Sequence, residues 1–353
     1  MVVAVGVVAW TAGLTGALVG NQRSDWIDSP PKSASDEPIN VSAPSDPIEG
    51  RLDVAKVIKH MAPSVVTISA DIDSQFGQGQ STGTGVIVSS DGEILTNAHV
   101  VDGATHIRVR LAGETEPREA RLLAADPGND LALLRMSGTD FDAAVFADPG
   151  SVRIGDEVVA IGFALGLDGD PSVTLGIVSA LDRTIGTDGA FLDGLIQTDA
   201  AISSGNSCGP LVNARGEVVG INTAVARDTA TSAATNVGFA ISAREALPVI
   251  EALRVQAGGD PRTEGYLGVE LGERRDGGQG AVISAVQDDT PAAEAGIEAG
   301  DLVVASDGAP IDGATGLIAA IRDLGPGDST TLTILRDGET IDITVTLVER
   351  PDD

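Results

Sequence analysis

The chain of 353 residues is poor in several residue types on which common functional sites depend. It has one cysteine, three histidines and 3% aromatic residues, and 22 Lys and Arg stand against 52 Asp and Glu. A single cysteine excludes an internal disulfide and a Cys/His zinc cluster. The sequence also has no Walker-type phosphate loop, so nothing indicates a dependence on ATP. We therefore expect no metal and no cofactor.

The net charge argues against two classes of binding partner. A formal charge of −30 would repel nucleic acid and anionic lipid surfaces, so we expect no nucleic-acid partner. The acidity is explained most simply by solubility.

The first 50 residues differ in composition from the rest. Residues 1–20 are almost wholly apolar and uncharged, with about the length that a bilayer-spanning helix needs. They lack the basic start of a signal peptide, although Gly and Ala near their end leave cleavage open. We favour an uncleaved transmembrane or signal-anchor segment over a removed signal. Residues 21–50 are rich in Ser, Pro and Asp, which predicts a disordered linker outside the membrane.

Residues 51–257 contain two series of short β-branched or alternating runs, separated by turn residues. Two all-β series of similar length predict two barrels or sandwiches packed together. The spacing of apolar residues predicts helices over 54–61 and 242–256. The glycines and proline that follow mark a boundary, and residues 262–350 are predicted to form a smaller α+β unit with its own core.

The order of nucleophile and base along the chain is informative. All three histidines lie upstream of Ser207, which stands in Gly205-Asn206-Ser207-Cys208-Gly209. A Gly-x-Ser-x-Gly pentad fits the nucleophile elbow of an α/β-hydrolase, but in that fold the histidine follows the serine. The chymotrypsin-like order His, Asp, Ser is present as His99, Asp130 and Ser207. These residues are predicted to be a catalytic triad.

The chemistry of such a triad assigns a role to each residue. His99 would take the proton of Ser207, and Asp130 would hold the imidazole in one tautomer. The backbone N–H groups of Gly205, Asn206 and Ser207 would form the oxyanion hole. His60, near a predicted helix end, and His106, on a predicted surface strand, are not expected to be second bases.

Several segments together carry a family resemblance. The chain resembles the HtrA/DegP family, which are trypsin-fold serine proteases followed by PDZ domains, from about residue 52 to residue 349. The resemblance implies a mainly β fold, with a trypsin-like double β-barrel protease domain and a small α+β PDZ domain. It also implies an ATP-independent endopeptidase of extracytoplasmic protein quality control that cleaves unfolded or damaged proteins, often as a homotrimer. With residues 1–20 as anchor, both domains would lie in the periplasm or at the cell surface. The segments that carry the resemblance are Gly83–Val88, Asp91–Val101, Asp130–Leu134, Gly176–Arg183 and Gly205–Ser207.

A second motif lies in the C-terminal unit. Tyr266-Leu267-Gly268-Val269 resembles a PDZ carboxylate-binding loop, and Ala292–Ile297 with Gly300–Val303 also matches the PDZ pattern. Such a loop offers backbone N–H groups to the terminal carboxylate of a C-terminal peptide, which adds as a strand.

The resemblance also indicates specificity and activation. Ala201 stands where trypsin has the acid that selects basic side chains, and Thr223, Ala224 and Val225 are expected to complete the specificity pocket. An alanine there predicts small or medium apolar side chains at the cleaved residue. Asn206 replaces the Asp that pairs with a newly cut N-terminus, so loop rearrangement or PDZ occupancy is expected to switch activity instead.

The clearest departure from the family is Cys208, where the family has Gly, and Ser203-Ser204 replaces Asn-Pro. Cys208 can be a tolerated or introduced small residue, which we favour, a redox handle, or a side chain that crowds the site. The rival hypothesis is a membrane-tethered PDZ peptide-binding protein or chaperone with a weakly active or inactive protease domain.

Overall fold

The computed structural model describes residues 34–43, 52–74, 77–163, 171–187, 190–203, 206–223, 237–259, 265–272, 274, 276 and 278–349. The predicted membrane segment, residues 1–20, lies outside these residues. Among the residues that are described, no helix is long and apolar enough to cross a bilayer.

Two closed barrels of six strands each form the larger part of the described chain. Their strands, in chain order, are β1 (Val65–Ser74), β2 (Gly77–Ile87), β3 (Glu93–Thr96), β4 (Ala104–Leu111), β5 (Arg118–Asp126), β6 (Leu131–Met136), β7 (Glu157–Gly162), β8 (Ser172–Thr187), β9 (Ala190–Thr198), β10 (Pro210–Val212), β11 (Val218–Thr223) and β12 (Gly238–Ser242). The first barrel is ordered β1-β2-β3-β6-β5-β4 and the second β10-β11-β12-β9-β8-β7. The strands pair antiparallel throughout both barrels.

Strand alternation explains why β6 is an unbroken apolar run. Ala132 and Leu134 point into the first barrel, where they join its interior cluster. Leu131 and Leu133 point the other way, into a cluster shared by the two barrels. Because successive side chains of a strand face opposite sides, a strand covered on both faces must be apolar at every position. The shared cluster therefore holds the two barrels together.

Within the residues that the structure describes, three helices accompany the barrels, α1 (Val54–Met61), α2 (Ala98–Val101) and α3 (Ala243–Ala257). Ser242 caps α3, since its hydroxyl accepts from Glu245 N at 3.4 Å. Near the other end of α3, Arg254 donates to the fully buried carboxylate of Glu93 on β3 at 2.7 Å. A buried ion pair thus fastens α3, which follows the second barrel, to the first barrel. Two 3-10 turns complete this part, Ala62–Ser64 and Pro149–Ser151.

Residues 34–43 correct the linker prediction for 21–50. Val41 forms a parallel bridge with Phe146, and Phe146 N donates to Asn40 O at 2.7 Å. Ser35 is buried, and its N–H donates to Glu93 Oε1 at 2.6 Å. The prediction of disorder is wrong for these ten residues because it weighed only the apolar area that the segment itself can bury. The barrel supplies backbone and carboxylate partners that composition does not show.

The C-terminal unit is an antiparallel sheet with two helices. Its strands are β13 (Gly265–Tyr266), β14 (Val269–Gly272), β15 (Ala281–Val286), β16 (Leu302–Ser306), β17 (Ala309–Pro310), β18 (Ser329–Arg336), β19 (Glu339–Thr346) and β20 (Val348–Glu349), and its helices are α4 (Pro291–Ala295) and α5 (Ala314–Arg322). The order is β14-β15-β16-β18-β19, with β17 beside β16 and a separate β13-β20 pair, so β14 is an edge strand. A hairpin turn at Asp337-Gly338 joins β18 to β19, with φ of 51° and 85°. A separate cluster that includes Ile283, Val303, Leu317 and Ile334 forms the core of this unit.

Candidate active site

The first half of the site is an imidazole held on a carboxylate. His99 lies on α2, directly after β3, and Asp130 ends the turn that leads into β6. His99 Nδ1 lies 2.9 Å and 3.0 Å from the two carboxylate oxygens of Asp130. The backbone N–H of His99 also donates to Asp130 Oδ1 at 3.1 Å, and Asn97 Nδ2 donates to Asp130 O at 2.8 Å. The structure thus brings the predicted base and acid together.

This contact changes the charge of His99. The hydrogen bond with Asp130, followed by one with the side chain of Cys208, raises the pKa of His99 to about 10. Burial acts in the opposite direction and is outweighed. The carboxylate therefore favours the imidazolium, the form in which the ring cannot accept a proton from serine. The geometry is that of a resting site.

In the second half of the site, hydrogen bonds within the loop engage the hydroxyl and the backbone N–H of Ser207. Ser207 Oγ donates to Ser203 O at 2.8 Å, and within the described chain it makes no hydrogen bond with His99. The same carbonyl accepts from the backbone N–H of Asn206 at 3.1 Å and of Ser207 at 3.0 Å. Two N–H groups predicted to face the substrate oxyanion are therefore engaged internally. Gly205, the third predicted donor, lies outside the described residues.

Asn206 closes the loop that carries Ser207. Its side chain is buried, with Oδ1 accepting from Ser203 N at 2.8 Å and Nδ2 donating to Ala201 O at 2.8 Å. An amide makes both bonds because it carries a donor and an acceptor. A carboxylate at this position would have no proton for the Ala201 carbonyl.

The predicted specificity pocket is described only in part. Ala201 is exposed, and its carbonyl also accepts from Thr174 Oγ1 at 3.0 Å. Thr223 is buried, and its hydroxyl donates to Asp130 Oδ2 at 3.2 Å. The side chain of Thr223 therefore orients the acid, a contact that sequence reasoning missed. Ala224 and Val225 lie outside the described residues.

Cys208 occupies an unusual backbone position. Its φ is 69°, in the left-handed region, and its N–H donates to Asn222 O at 2.7 Å. The side chain is fully buried and joins the interior cluster of the first barrel, beside Ala98 and Val100 of the helix that carries His99. A non-glycine residue in this conformation costs about 1–2 kcal/mol. The thiol is thus packed against the His99 helix rather than presented to solvent.

The predicted carboxylate-binding loop interrupts a strand. Gly268 separates β13 from β14 with φ of 85°, and a Cβ on it would lie 2.2 Å from Thr290 Cβ. The Leu267 and Gly268 carbonyls accept from the N–H groups of Ala292 and Gln287, both at 3.0 Å. The Tyr266 hydroxyl donates to the side chain of Gln287. These bonds fix the loop at the start of the edge strand β14.

A group of carboxylates was not foreseen from the sequence. The carboxylate oxygens of Asp193, Glu245 and Asp323 lie within 4.8 Å of one another. Burial, followed by the charge of Asp323, raises the pKa of Asp193 to about 6. Burial, followed by the charge of Asp193, raises the pKa of Glu245 to about 7. The three residues lie far apart in the chain, on or beside β9, α3 and α5, so their spacing carried no signal.

Comparisons with known proteins agree with this architecture. Residues 83–221 match the trypsin-like peptidase domain and residues 265–347 match the PDZ domain. A "Probable periplasmic serine endoprotease DegP-like" of Pseudomonas savastanoi pv. phaseolicola is 38% identical, over 78% of this chain and 57% of the relative. The "Serine protease Do-like HtrB" of Bacillus subtilis is 34% identical, over 97% of this chain and 83% of the relative.

Solved structures give the same result. The structure titled "HtrA-type protease AlgW with tripeptide" is 31% identical and has a TM-score of 0.67, covering 85% of this chain and 98% of that one. The chain spans 57% of the length of the DegP-like relative from Pseudomonas, and 53% of another from Brucella suis. The predicted fold class, a double barrel followed by a PDZ domain, is confirmed. The chain belongs to the HtrA/DegP family of trypsin-like serine proteases with a PDZ domain.

Proposed function

We propose that the chain is an ATP-independent serine endopeptidase in which Ser207 attacks the substrate carbonyl, His99 transfers the proton and Asp130 orients the imidazole. The observation that carries this proposal is the contact of His99 Nδ1 with both carboxylate oxygens of Asp130, at 2.9 Å and 3.0 Å. With Nδ1 on the carboxylate, Nε2 is the ring nitrogen that takes the serine proton.

Catalysis on this proposal requires one rearrangement. The Ser203 carbonyl accepts from the hydroxyl and the N–H of Ser207, and also from Asn206 N. This carbonyl must turn away before the hydroxyl can reach His99 and before the N–H groups of Asn206 and Ser207 can face an oxyanion. The loss of one such donor typically costs about 10²–10³ in rate, so the closed loop is expected to be nearly inactive.

The substrates would be unfolded or damaged proteins outside the cytoplasm, cleaved after small or medium apolar side chains at a pocket formed by Ala201 and residues 223–225. The relatives described as probable periplasmic serine endoproteases support this location. A membrane anchor in residues 1–20 and assembly as a homotrimer are part of the same proposal.

The PDZ domain would bind the C-termini of peptides. Backbone N–H groups of Tyr266–Val269 would hold the terminal carboxylate, and the peptide would add as a strand beside β14, an edge strand of its sheet. AlgW, a structural neighbour, was solved with a tripeptide and with a decapeptide.

A second candidate function is a peptide-binding protein or chaperone with a weakly active protease domain. It is favoured by one observation, the engagement of both Ser207 donors by the Ser203 carbonyl. The buried Cys208 side chain beside the helix of His99 adds to it.

Labelling with a fluorophosphonate probe separates the two candidates. The protein used should retain residues 34–43, because these pack on the barrel. If the protease proposal holds, the parent is labelled, Ser207→Ala abolishes labelling, and Ser90→Ala, a serine that contacts Glu37 instead, leaves it intact. No labelling of the parent, together with labelling of Cys208→Gly, would favour the peptide-binding protein.

A further inference from the structure

A side chain of the PDZ domain reaches the turn that carries the catalytic acid. Arg322 is the last residue of α5, and only 8% of its surface is exposed. Its Nη1 donates to Gly128 O at 2.8 Å, and its Nη2 donates to Asn129 Oδ1 at 2.5 Å. Gly128 and Asn129 are the two residues before Asp130. A buried guanidinium from one domain therefore ends against the backbone of the other domain's active-site turn.

The turn itself places Asn129 between two sets of partners. Inside the protease domain, Asp126 Oδ1 accepts from Asn129 N at 3.1 Å and Asp126 Oδ2 accepts from Asn129 Nδ2 at 2.9 Å. Two residues of the PDZ domain bind the same side-chain amide. Asp323 Oδ1 accepts from Asn129 Nδ2 at 3.2 Å, and Arg322 Nη2 donates to Asn129 Oδ1. The amide of Asn129 is thus bound on its donor side and its acceptor side by residues of the PDZ domain.

Packing supports the hydrogen bonds. A Cβ built on Gly128 would lie 2.9 Å from Arg322 Cδ and 3.2 Å from its Nε. The stem of the arginine therefore lies directly on the backbone of the turn. The end of α5 is fixed in its own domain, because Gly265 N donates to Leu324 O at 2.7 Å.

The backbone conformation of Asp130 explains why support from neighbouring residues matters. Its φ is 50°, in the left-handed region. This backbone conformation is unfavourable for a non-glycine residue, so surrounding interactions must offset its free-energy cost. Its backbone is tied on the other side by Asn97, whose Nδ2 donates to Asp130 O at 2.8 Å. The PDZ domain supplies the opposing support.

We propose that Arg322 is a positioning residue for the catalytic acid: its bonds to Gly128 and Asn129 hold the turn so that Asp130 meets His99, and the triad depends on a docked PDZ domain. The kinetic part rests on the proposed protease function. The geometric part does not, because the contact between His99 and Asp130 is measured by titration of the imidazole alone.

The test uses the full chain with Arg322→Met and Arg322→Lys. Arg336→Met is the matched control, since Arg336 donates to Asp301 at 2.7 Å and to Gly296 O at 2.8 Å, all within the PDZ domain. We expect Arg322→Met to lower kcat on the order of ten- to a hundredfold with little change in KM, because a small displacement of a catalytic group has such an effect. The pKa of His99, followed by NMR, should fall toward its ordinary value, and Lys should restore part of both quantities.

Three outcomes would overturn the proposal. The first is an unchanged His99 titration and kcat in a folded Arg322→Met protein. The second is an equal change in Arg336→Met, which would assign the effect to PDZ stability. The third applies if Arg322→Met does not fold: Gly128→Ala, which displaces the guanidinium, should then shift the titration in the same direction, and no shift would contradict the proposal. A parent without turnover would refute the proposed function alone, since the titration would still decide the positioning role.

Discussion

The two halves of the proposed active site are built in different ways. The acid–base half lies on the first barrel, where His99 is on a short helix and contacts Asp130 through its backbone N–H and its ring. The nucleophile half lies on a loop before β10, where one carbonyl, Ser203 O, accepts from Ser207 Oγ, Ser207 N and Asn206 N. A short helix and a hydrogen-bonded turn thus hold the first half together, whereas the second half requires a change in a single loop.

The largest expected effect comes from breaking the assembled half with Asp130→Asn. An amide cannot favour the imidazolium as the carboxylate does, so we expect kcat to fall about 10⁴-fold. Peptide turnover under saturating substrate measures this loss. Thr223→Val, which removes only the 3.2 Å bond to Asp130 Oδ2, is the matched control and should cost far less. Equal losses in both variants would contradict the assigned roles.

Asn206→Asp tests the closed half. The buried carboxylate cannot donate to Ala201 O, which keeps only its bond from Thr174 Oγ1, and the loss of this hydrogen bond at a buried side chain costs about 1–3 kcal/mol. Because the lost bond holds the loop closed, we expect the rate of fluorophosphonate labelling to rise, by roughly tenfold as that free energy implies. Asn129→Asp, in the other half, should leave the labelling loop intact and alter the His99 titration instead. An unchanged labelling rate in Asn206→Asp would show that this amide does not shape the loop.

Cys208→Gly tests the interaction between the two halves, because Cys208 follows Ser207 and its side chain interacts with His99. Glycine accepts φ of 69° without cost, which favours the variant by about 1–2 kcal/mol, while the loss of a buried side chain offsets part of it. The Cys208 side chain raises the pKa of His99, so its removal should lower that pKa and increase the labelling rate a few-fold. Cys208→Ala keeps Cβ and separates the thiol from the backbone. A higher His99 pKa in Cys208→Gly would contradict this account.

The smallest expected effect is on the stability of the folded protein. It arises from the cluster of three carboxylates formed by Asp193, Glu245 and Asp323. The pKa of Glu245 is raised to about 7 by burial and then by the charges of Asp193, Asp323 and Asp182, with Arg244 opposing them. The folded protein then binds more protons than the unfolded chain between about pH 4.5 and pH 7, so stability falls as pH rises through this window.

Glu245→Gln should flatten that slope and gain on the order of 1–2 kcal/mol near pH 8, as measured by urea unfolding across the pH range. Burial, followed by the charge of Asp323, raises the pKa of Asp193 to about 6 against the opposing charge of Arg322, so Asp193→Asn should respond in the same sense. Glu339→Gln, an exposed residue of β19, is the control. A slope that stays as steep in Glu245→Gln would show that this group does not titrate as described.

Much of the fold could be predicted because local patterns and tertiary contacts agree. Helix α1 spans the predicted residues 54–61, and the two predicted series of short strands form two barrels. Strand β5, Arg118–Asp126, was not predicted, because its sequence is rich in Arg, Glu, Leu and Ala, which favour helices. Pairing with β4 and β6 overrides that preference.

The site shows the same limit. Residue types in order along the chain point to His99, Asp130 and Ser207, because chemistry requires those side chains. The orientation of the Ser203 carbonyl cannot be predicted from residue type, since every residue has a backbone carbonyl. The contact of Arg322 with Gly128 joins two domains and follows no spacing rule. Backbone orientation and domain docking therefore had to come from the structure.

The most direct test of the central claim, that the acid–base half is assembled before the nucleophile loop opens, is an NMR titration of the His99 imidazole in the resting protein. If this half is assembled, His99 titrates far above its ordinary pKa of 6.5, near 10, because Asp130 and Cys208 stabilise the imidazolium. Titration at or below the ordinary value would contradict it, because His99 would then not lie on the carboxylate of Asp130.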